Sequence, residues 1–202
     1  LCSLFRESLE PEHVSAESFE RKIGITLPHY AYLKIAEGCS RFCTYCAIPS
    51  IRGPYHSVPR EDLIREARGL EKRGVKELLL ITQDTTVYGK DLYGSPALKD
   101  LLNELEKLEG VRWIRLLYAY PEVFDAALMD KLLSSSKILK YLDLPIQHSH
   151  PEVLKRMGRA KTFEVFDEIF TYLRKKNPDF CLRTTVITGF PGETEEQFSH
   201  LL

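Results

Sequence analysis

The sequence predicts an α/β protein in which parallel β-strands alternate with α-helices. Five short apolar segments are separated by longer segments with helical spacing of apolar residues, an alternation typical of βαβ units. Residues 77–82 form an almost unbroken apolar run, as in strands buried on both faces of a parallel sheet. The pattern alone fits either a curled sheet or an open, doubly wound one. No G-x-G-x-x-G follows the first strand, so the fingerprint of a dinucleotide-binding sheet is missing.

Each predicted strand is a short apolar run that ends in polar or glycine-containing sequence. Aliphatic, aromatic and β-branched side chains dominate these runs, as strands require. The predicted strands are residues 32–36, 77–82, 113–120, 141–146 and 181–188.

The predicted helices show apolar residues on one face and have recognisable starts or stops. They are residues 61–73, 98–108, 124–133, 151–157 and 162–176, followed by a last helix that begins after Thr194. The second has the clearest stripe, a leucine row that ends before Gly110. Ser149 with Glu152, and Thr194 with Gln197, have the spacing of capping boxes.

The first 31 residues show no lasting period. We predict that residues 1–31 are a linker or the remnant of an upstream domain, and that residues 32–202 form a single core domain. Cys2 has no neighbours at ligand spacing, which indicates a stray thiol. Because the chain begins without Met and stops within a helical pattern, we interpret it as a piece of a longer protein.

Composition narrows the possible environments. The formal net charge of −1 gives no electrostatic case for nucleic-acid binding by this chain. No apolar run approaches the roughly 18 residues of a membrane span, and no signal peptide is visible. Three of the five cysteines are clustered, as in proteins of a reducing compartment where thiols bind metals. The sequence therefore predicts a cytoplasmic protein without a membrane partner.

The cysteine cluster is the strongest chemical signal. Cys39, Cys43 and Cys46 follow the first strand, with three residues in the first gap and two in the second. Iron–sulfur clusters are normally held by four cysteines, so three thiolates suggest a 4Fe–4S cluster with one open iron. A zinc ion is the alternative, with His56 or a distant cysteine as fourth ligand, although no second close pair is present. Inert thiols are the remaining possibility.

The spacing Cys39-x-x-x-Cys43-x-x-Cys46, with Tyr45 before the last cysteine, resembles the signature of the radical S-adenosylmethionine (SAM) family. The resemblance implies a partial (β/α)6 TIM-like barrel, whose last strand would be missing from this chain. It implies that SAM binds the open iron and is split to a 5′-deoxyadenosyl radical, which abstracts hydrogen from the substrate. The reactive group is then the cofactor's, so no catalytic side chain is assigned.

The same resemblance implies which residues contact SAM at the ends of the strands. The fifth strand and its glycine-rich turn are similar to the family's motif for adenine and ribose, which implicates Ile187 and Gly189. Gln83 and Asp84 occupy the position that binds the methionine amino group, without the usual Gly-Gly-Glu. The further candidates are Tyr45, Gln147 for ribose or carboxylate, and Arg159 and Arg183 for the carboxylate. His148 and His150 are interpreted as turn residues.

The resemblance narrows to the methylthiotransferases through residues 29–35, 47–53 and 189–194. Residues 82–89, 117–121 and 142–148 resemble the branch that modifies the twelfth protein of the small ribosomal subunit. This implies insertion of a methylthio group at the β-carbon of an aspartate, with that ribosomal protein and an electron donor as partners. It also implies a second cluster in an upstream domain, so the chain alone is not expected to insert sulfur. The alternatives are the sister branch acting on transfer-RNA adenosine and a non-enzymatic zinc module.

Overall fold

The computed structural model describes residues 26–160 and 162–202, in which strands and helices alternate as predicted. The predictions for Cys2 and for most of residues 1–31 lie outside the described residues. The strands are β1 Tyr30–Lys34, β2 Ala36–Glu37, β3 His56–Ser57, β4 Glu77–Ile81, β5 Trp113–Leu116, β6 Tyr141–Asp143 and β7 Cys181–Arg183. The helices are α1 Ile48–Arg52, α2 Arg60–Lys72, α3 Lys90–Tyr93, α4 Leu98–Leu105, α5 Ala126–Ser134, α6 Pro151–Arg156, α7 Thr162–Lys176 and α8 Glu195–Leu201.

Five of the strands described, β1, β4, β5, β6 and β7, follow one another in chain order, and those that pair do so in parallel. β1 pairs with β4, β4 with β5, and β6 with β7. Backbone hydrogen bonds join the segment of β5 to the segment of β6. They run from Ile114 N to Lys137 O at 2.9 Å and from Ala119 N to Asp143 O at 2.9 Å. A doubly wound sheet reverses its strand order at the switch point, whereas a barrel adds each new strand beside the previous one. The order therefore favours the curled, barrel-like arrangement.

One apolar core lies between these strands and the long helices. β4 alternates, with Leu78 and Leu80 fully buried and Leu79 and Ile81 only partly so. On the neighbouring strand Tyr32, in register with Leu79, is 47% exposed. The prediction that the strands are buried on both faces is therefore wrong for this part of the sheet. In β1 and β4, only the face that packs against the helices is fully buried. The helical side of the core is made by leucines 63, 70, 98, 101, 102, 105, 128, 132 and 173.

Strand boundaries differ from the sequence expectations for identifiable reasons. The first strand is Tyr30–Lys34, because Ala36–Glu37 turns away to pair antiparallel with His56–Ser57. The third strand stops at Leu116 and not at residue 120, since Tyr118 has a positive φ of 57°. The fifth keeps only Cys181–Arg183 as regular strand, with one further bridge between Gln147 and Val186.

Helix starts were predicted with mixed success. The capping box of Thr194 and Gln197 is confirmed at the start of α8. The proposed box of Ser149 and Glu152 is wrong, because His150 is the N-cap of α6 and its Nδ1 accepts from Glu152 N at 3.3 Å. Ser149 instead contacts His200, with its hydroxyl 2.9 Å from the ring Nδ1. None of the helices in the described ranges is long and apolar enough to cross a lipid bilayer.

Candidate metal and cofactor site

The cysteine-bearing segment 38–46 is held near both ends by hydrogen bonds. At its start Cys39 N donates to Gly53 O at 3.1 Å, and Tyr55 N donates to the Ser40 hydroxyl at 3.1 Å. At its far end Thr44 docks on the C-terminus of α6, where its N–H donates to Met157 O at 3.2 Å and its hydroxyl to Arg156 O at 2.9 Å. The three thiols are therefore carried on a fixed segment.

Gly38 makes the first of these contacts possible. Its φ is +73°, a backbone conformation that side chains resist. A Cβ at this position would lie 2.1 Å from the carbonyl oxygen of Pro54. Only glycine lets the segment before Cys39 approach the loop at residues 53–55 this closely.

All three thiols line one cleft with residues from the ends of other strands. Gln83 follows β4, Tyr118 and Tyr120 follow β5, and Gln147 follows β6. Seven residues that were predicted from the sequence to contact the metal or the cofactor therefore lie together in this cleft. The cleft is lined by Cys39, Arg41, Cys43, Tyr45, Cys46, Ile48, Gln83, Tyr118, Ala119, Tyr120, Pro145, Gln147 and Arg159.

The thiols themselves are free and differ in burial. Cys39 is buried, and burial raises the pKa of its thiol, opposed in part by a hydrogen bond from Arg41 N. Cys43 and Cys46 are half-buried. In residues 26–160 and 162–202 no three His, Cys, Asp or Glu side chains converge as ligands of a single ion would.

This arrangement fits a cubane better than a zinc ion. Zinc gathers its ligands around one point at about 2.0–2.3 Å, whereas a cubane accepts one thiolate at each of several irons. His56, the candidate fourth zinc ligand, is exposed on β3 and lies outside the cleft lining. Cys181 is likewise exposed, on β7.

Arg159 is a buried, hydrogen-bonded side chain and not a solvated charge at the end of a helix. It is only 5% exposed, and its Nη2 donates to Pro145 O at 2.7 Å and its Nε to the Thr162 hydroxyl at 3.3 Å. The pKa of the neighbouring Tyr45 is raised to about 12, because burial and the nearby Cys43 outweigh the opposing effect of Arg159. Tyr45 therefore keeps its phenolic proton at neutral pH.

Asp84 lies behind the cysteine segment and not in the cleft lining. Its carboxylate accepts from Arg41 Nε at 3.0 Å and from Thr86 N at 3.1 Å, and it is 1% exposed. The Tyr55 hydroxyl donates to its backbone oxygen at 2.9 Å. Asp84 and Arg41 also border a second cavity of about 530 Å³, which Cys39 lines as well. Sequence reasoning missed Arg41, whose only signal was its place between two candidate ligands.

Two residues at the strand ends adopt left-handed backbone conformations. Tyr118 has φ 57° and Gln147 has φ 71°, both unusual for residues with side chains. Tyr118 O accepts from Thr85 N at 3.0 Å, and Gln147 exchanges backbone hydrogen bonds with Thr185 and Ile187. Strain of this kind at converging strand ends is a common mark of a functional site.

Three predicted site residues on the last strand and its turn lie outside the cleft lining. Arg183 contacts Asp143, with Nη1 3.2 Å from Oδ2, and is mostly exposed. Ile187 packs against the small cluster of Val153, Leu154 and Met157. Gly189 has φ +73° and open space where a Cβ would be.

A buried His–Glu contact fixes the turn that carries Gly189. His150 N donates to His148 Nδ1 at 2.9 Å, so the proton of the neutral ring is on Nε2, which lies 3.3 Å from Glu193 Oε1. The other carboxylate oxygen accepts from Phe190 N at 2.8 Å. Burial alone would raise the pKa of Glu193, but these hydrogen bonds outweigh it and the pKa lies below its ordinary value. The interpretation of His148 and His150 as turn residues agrees with this geometry.

Comparison with known proteins gives one family match and many relatives. The profile of the Radical SAM superfamily matches residues 33–202. "Ribosomal protein uS12 methylthiotransferase RimO" of Lachnoclostridium phytofermentans is 52% identical over 190 residues, which are 94% of this chain and 43% of that protein. The protein of that name from Clostridium botulinum strain Langeland is 53% identical over 178 residues, 88% of this chain and 40% of that protein. This chain thus spans about four tenths of the length of these relatives.

A solved structure supports the fold. The radical S-adenosylmethionine methyltransferase TsrM from Kitasatospora setae, with cobalamin and a [4Fe-4S] cluster bound, superimposes with a TM-score of 0.67. The match has 19% sequence identity and covers 85% of this chain and 33% of that one. At this identity the likeness concerns the fold alone.

Proposed function

Because this chain belongs to the radical SAM superfamily, we propose that Cys39, Cys43 and Cys46 hold a 4Fe–4S cluster with one open iron, at which SAM binds. The observation that carries the proposal is the single cleft in which the three thiols meet the polar ends of three parallel strands. When bound, these cofactors supply a 5′-deoxyadenosyl radical for hydrogen abstraction. The chain's own part is to hold and orient them.

Four side chains of the cleft are the proposed SAM contacts. Gln83, Gln147 and Arg159 offer hydrogen-bond donors, and Tyr45 a protonated phenol, beside the thiols. Arg159 already makes two hydrogen bonds that fix its plane, so it can offer its remaining donors without losing side-chain freedom. Asp84 would act through Arg41, which it holds in place.

Three further contacts are proposed from the turn after β7. Ile187 and Gly189 are proposed to border adenine, and Arg183 the carboxylate. The open space beside Gly189 would let a ligand approach the backbone closely.

The proposed reaction is methylthiolation of the ribosomal protein uS12 at the β-carbon of an aspartate. The support is the 52% and 53% identity to proteins named as uS12 methylthiotransferases, over most of this chain. An unactivated C–H bond needs a radical, and one SAM would supply it while another supplies the methyl group. The relatives are more than twice as long as this chain, so the activity of the whole protein is proposed and not deduced from these residues alone.

We also propose an electron donor for the cluster, a second cluster held outside these 202 residues that delivers sulfur, and a cytoplasmic location. The three thiols of the cleft account for one cluster only. The cysteines described are all free thiols, as expected in a reducing compartment.

The test is anaerobic reconstitution with iron and sulfide, followed by iron counting and an assay for 5′-deoxyadenosine. We expect about four irons per chain, and loss of both iron and 5′-deoxyadenosine when Cys39, Cys43 or Cys46 is changed to Ala. Cys181→Ala is the matched control, since this thiol is exposed on β7 and should leave both unchanged. One zinc and no iron, or iron retained in the three variants, would contradict the proposal.

The substrate is tested by offering uS12 and transfer RNA side by side to the full-length protein. We expect mass spectrometry to find hydrogen replaced by a methylthio group on the aspartate of uS12. Methylthiolated adenosine with unmodified uS12 would assign the protein to the sister reaction.

A further inference from the structure

Tyr120 packs between two guanidinium groups in the lining of the cleft. The central carbon of Arg41 lies 3.9 Å from the ring centre, and that of Arg159 lies 4.1 Å from it. Two guanidinium groups this close cannot share one face of a ring, so they lie on opposite faces. Tyr120 itself is only 8% exposed, and cation–π contacts of this kind are strongest where water is excluded.

Both cations are fixed independently of Tyr120. Arg41 is held by Asp84, at 3.0 Å, and Arg159 by Pro145 and Thr162. The ring therefore has little freedom to tilt, and its hydroxyl group points to a defined place. Two positive charges over the ring also draw electron density from it, which makes the phenol a better hydrogen-bond donor.

The Tyr120 hydroxyl lies 3.9 Å from the sulfur of Cys43. In a free thiol either atom could donate, but a thiolate that binds metal has no proton to give. With Cys43 as a cluster ligand, the direction is therefore fixed, and the phenol is the donor. Hydrogen bonds to cluster sulfurs are among the factors that set the reduction potential of iron–sulfur clusters.

We propose that Tyr120 is a positioning residue that donates a hydrogen bond to the Cys43 sulfur and makes the cluster easier to reduce. The inference rests on the proposed function, because it needs a cluster on Cys43. The reduced cluster carries one more negative charge, so the phenol proton and the two neighbouring cations stabilise it more than the oxidised form. Reduction is the step that must precede SAM cleavage.

The test is Tyr120→Phe, which keeps the ring between the two arginines and removes only the hydroxyl. The reconstituted chain is titrated with dithionite as the one-electron source, and the reduced cluster is followed by electron paramagnetic resonance. We expect the reduction equilibrium to become about tenfold less favourable, which is about 59 mV to more negative potential for one electron. Iron content and melting temperature should stay those of the unaltered chain.

Tyr172→Phe is the matched control, because its hydroxyl donates to Asp130 at 2.6 Å on an exposed face. The reduction potential of the cluster in Tyr172→Phe should equal that of the unaltered chain. An unchanged potential in Tyr120→Phe with full iron content would overturn the inference and leave the cluster proposal standing. Loss of iron in that variant would also overturn it, since Tyr120 would then retain the cluster and not tune it. Absence of iron in the unaltered chain would instead overturn the proposed function.

Discussion

Gly38 is a single residue that determines how closely the cysteine segment approaches the loop at residues 53–55. Its backbone combines a positive φ with a carbonyl group in the space that a side chain would occupy. Gly53, close by, has nearly the same φ but open space where a Cβ would be. The two glycines therefore separate the cost of the backbone conformation from the cost of the close approach.

We expect Gly38→Ala to destabilise the fold more than Gly53→Ala. The φ penalty alone is about 1–2 kcal/mol, and the contact with Pro54 O adds about 1–3 kcal/mol at position 38. Urea unfolding of both variants measures the difference, and iron counting after reconstitution should find less iron in Gly38→Ala only. Equal stabilities would mean that the loop at residues 53–55 moves away without cost.

Residue identity and local spacing made some of the site predictable and left the rest hidden. Cys39, Cys43 and Cys46 could be named because their ligand chemistry and their spacing lie within eight residues of sequence. Arg41 and Tyr120 could not, because their roles depend on contacts 43 and 77 residues away along the chain, with Asp84 and Cys43. The placement of the thiols at one cleft agrees with the sequence-based expectation, while their role as ligands stays a prediction.

Elements meet at the C-terminal ends of the parallel strands, and side chains fix their connecting turns. The turn after β7 is tied to the end of β6 by His148 and Glu193.

The sequence run of residues 113–120 predicted one long strand, because its side chains all suit a strand. The backbone of Tyr118 instead bonds Thr85 and the Asp143 side chain, and such long-range contacts leave no local pattern.

We expect Glu193→Gln to lower stability at neutral pH, with a smaller effect in acid. The folded-state pKa of Glu193 lies below its ordinary value, so the ionised carboxylate stabilises the fold above the unfolded pKa of about 4.3. This contribution is lost as the pH falls through the folded-state pKa.

Urea unfolding of the unaltered chain and of the variant, between about pH 3 and pH 7, checks this expectation. Glu109→Gln is the control, because Glu109 is exposed and should change neither stability nor its pH dependence. Parallel stability curves for Glu193→Gln and the unaltered chain would contradict the expectation.

Within residues 26–160 and 162–202, one large apolar core joins the helices to the strands, beside a smaller cluster around Val153. The family match and the solved structure confirm the superfamily and the α/β barrel-type fold predicted from the sequence. The fold could be predicted because alternating strands and helices with right-handed crossovers admit few arrangements. The strand order was beyond the sequence pattern alone, which also fitted an open sheet. The division into residues 1–31 and 32–202 stays a prediction.

We expect Leu102→Ala to destabilise the whole fold by about 2–5 kcal/mol, the range for deleting a fully buried leucine side chain. Leu102 is not part of the cleft lining, so the iron content of folded protein should not change. Urea unfolding and iron counting measure the two effects. Leu27→Ala, at a position 61% exposed, is the control and should cost about 0.5 kcal/mol or less. A fall in iron without a fall in stability would contradict the separation of core and cleft.

The hydrogen bonds that anchor Cys39 N and Thr44 join protein groups to one another. Contacts within the polypeptide therefore hold the segment that carries the thiols. We expect a chain from which iron has been removed to rebuild its cluster without first unfolding. Damage to the cofactor would then be reversible without replacement of the polypeptide.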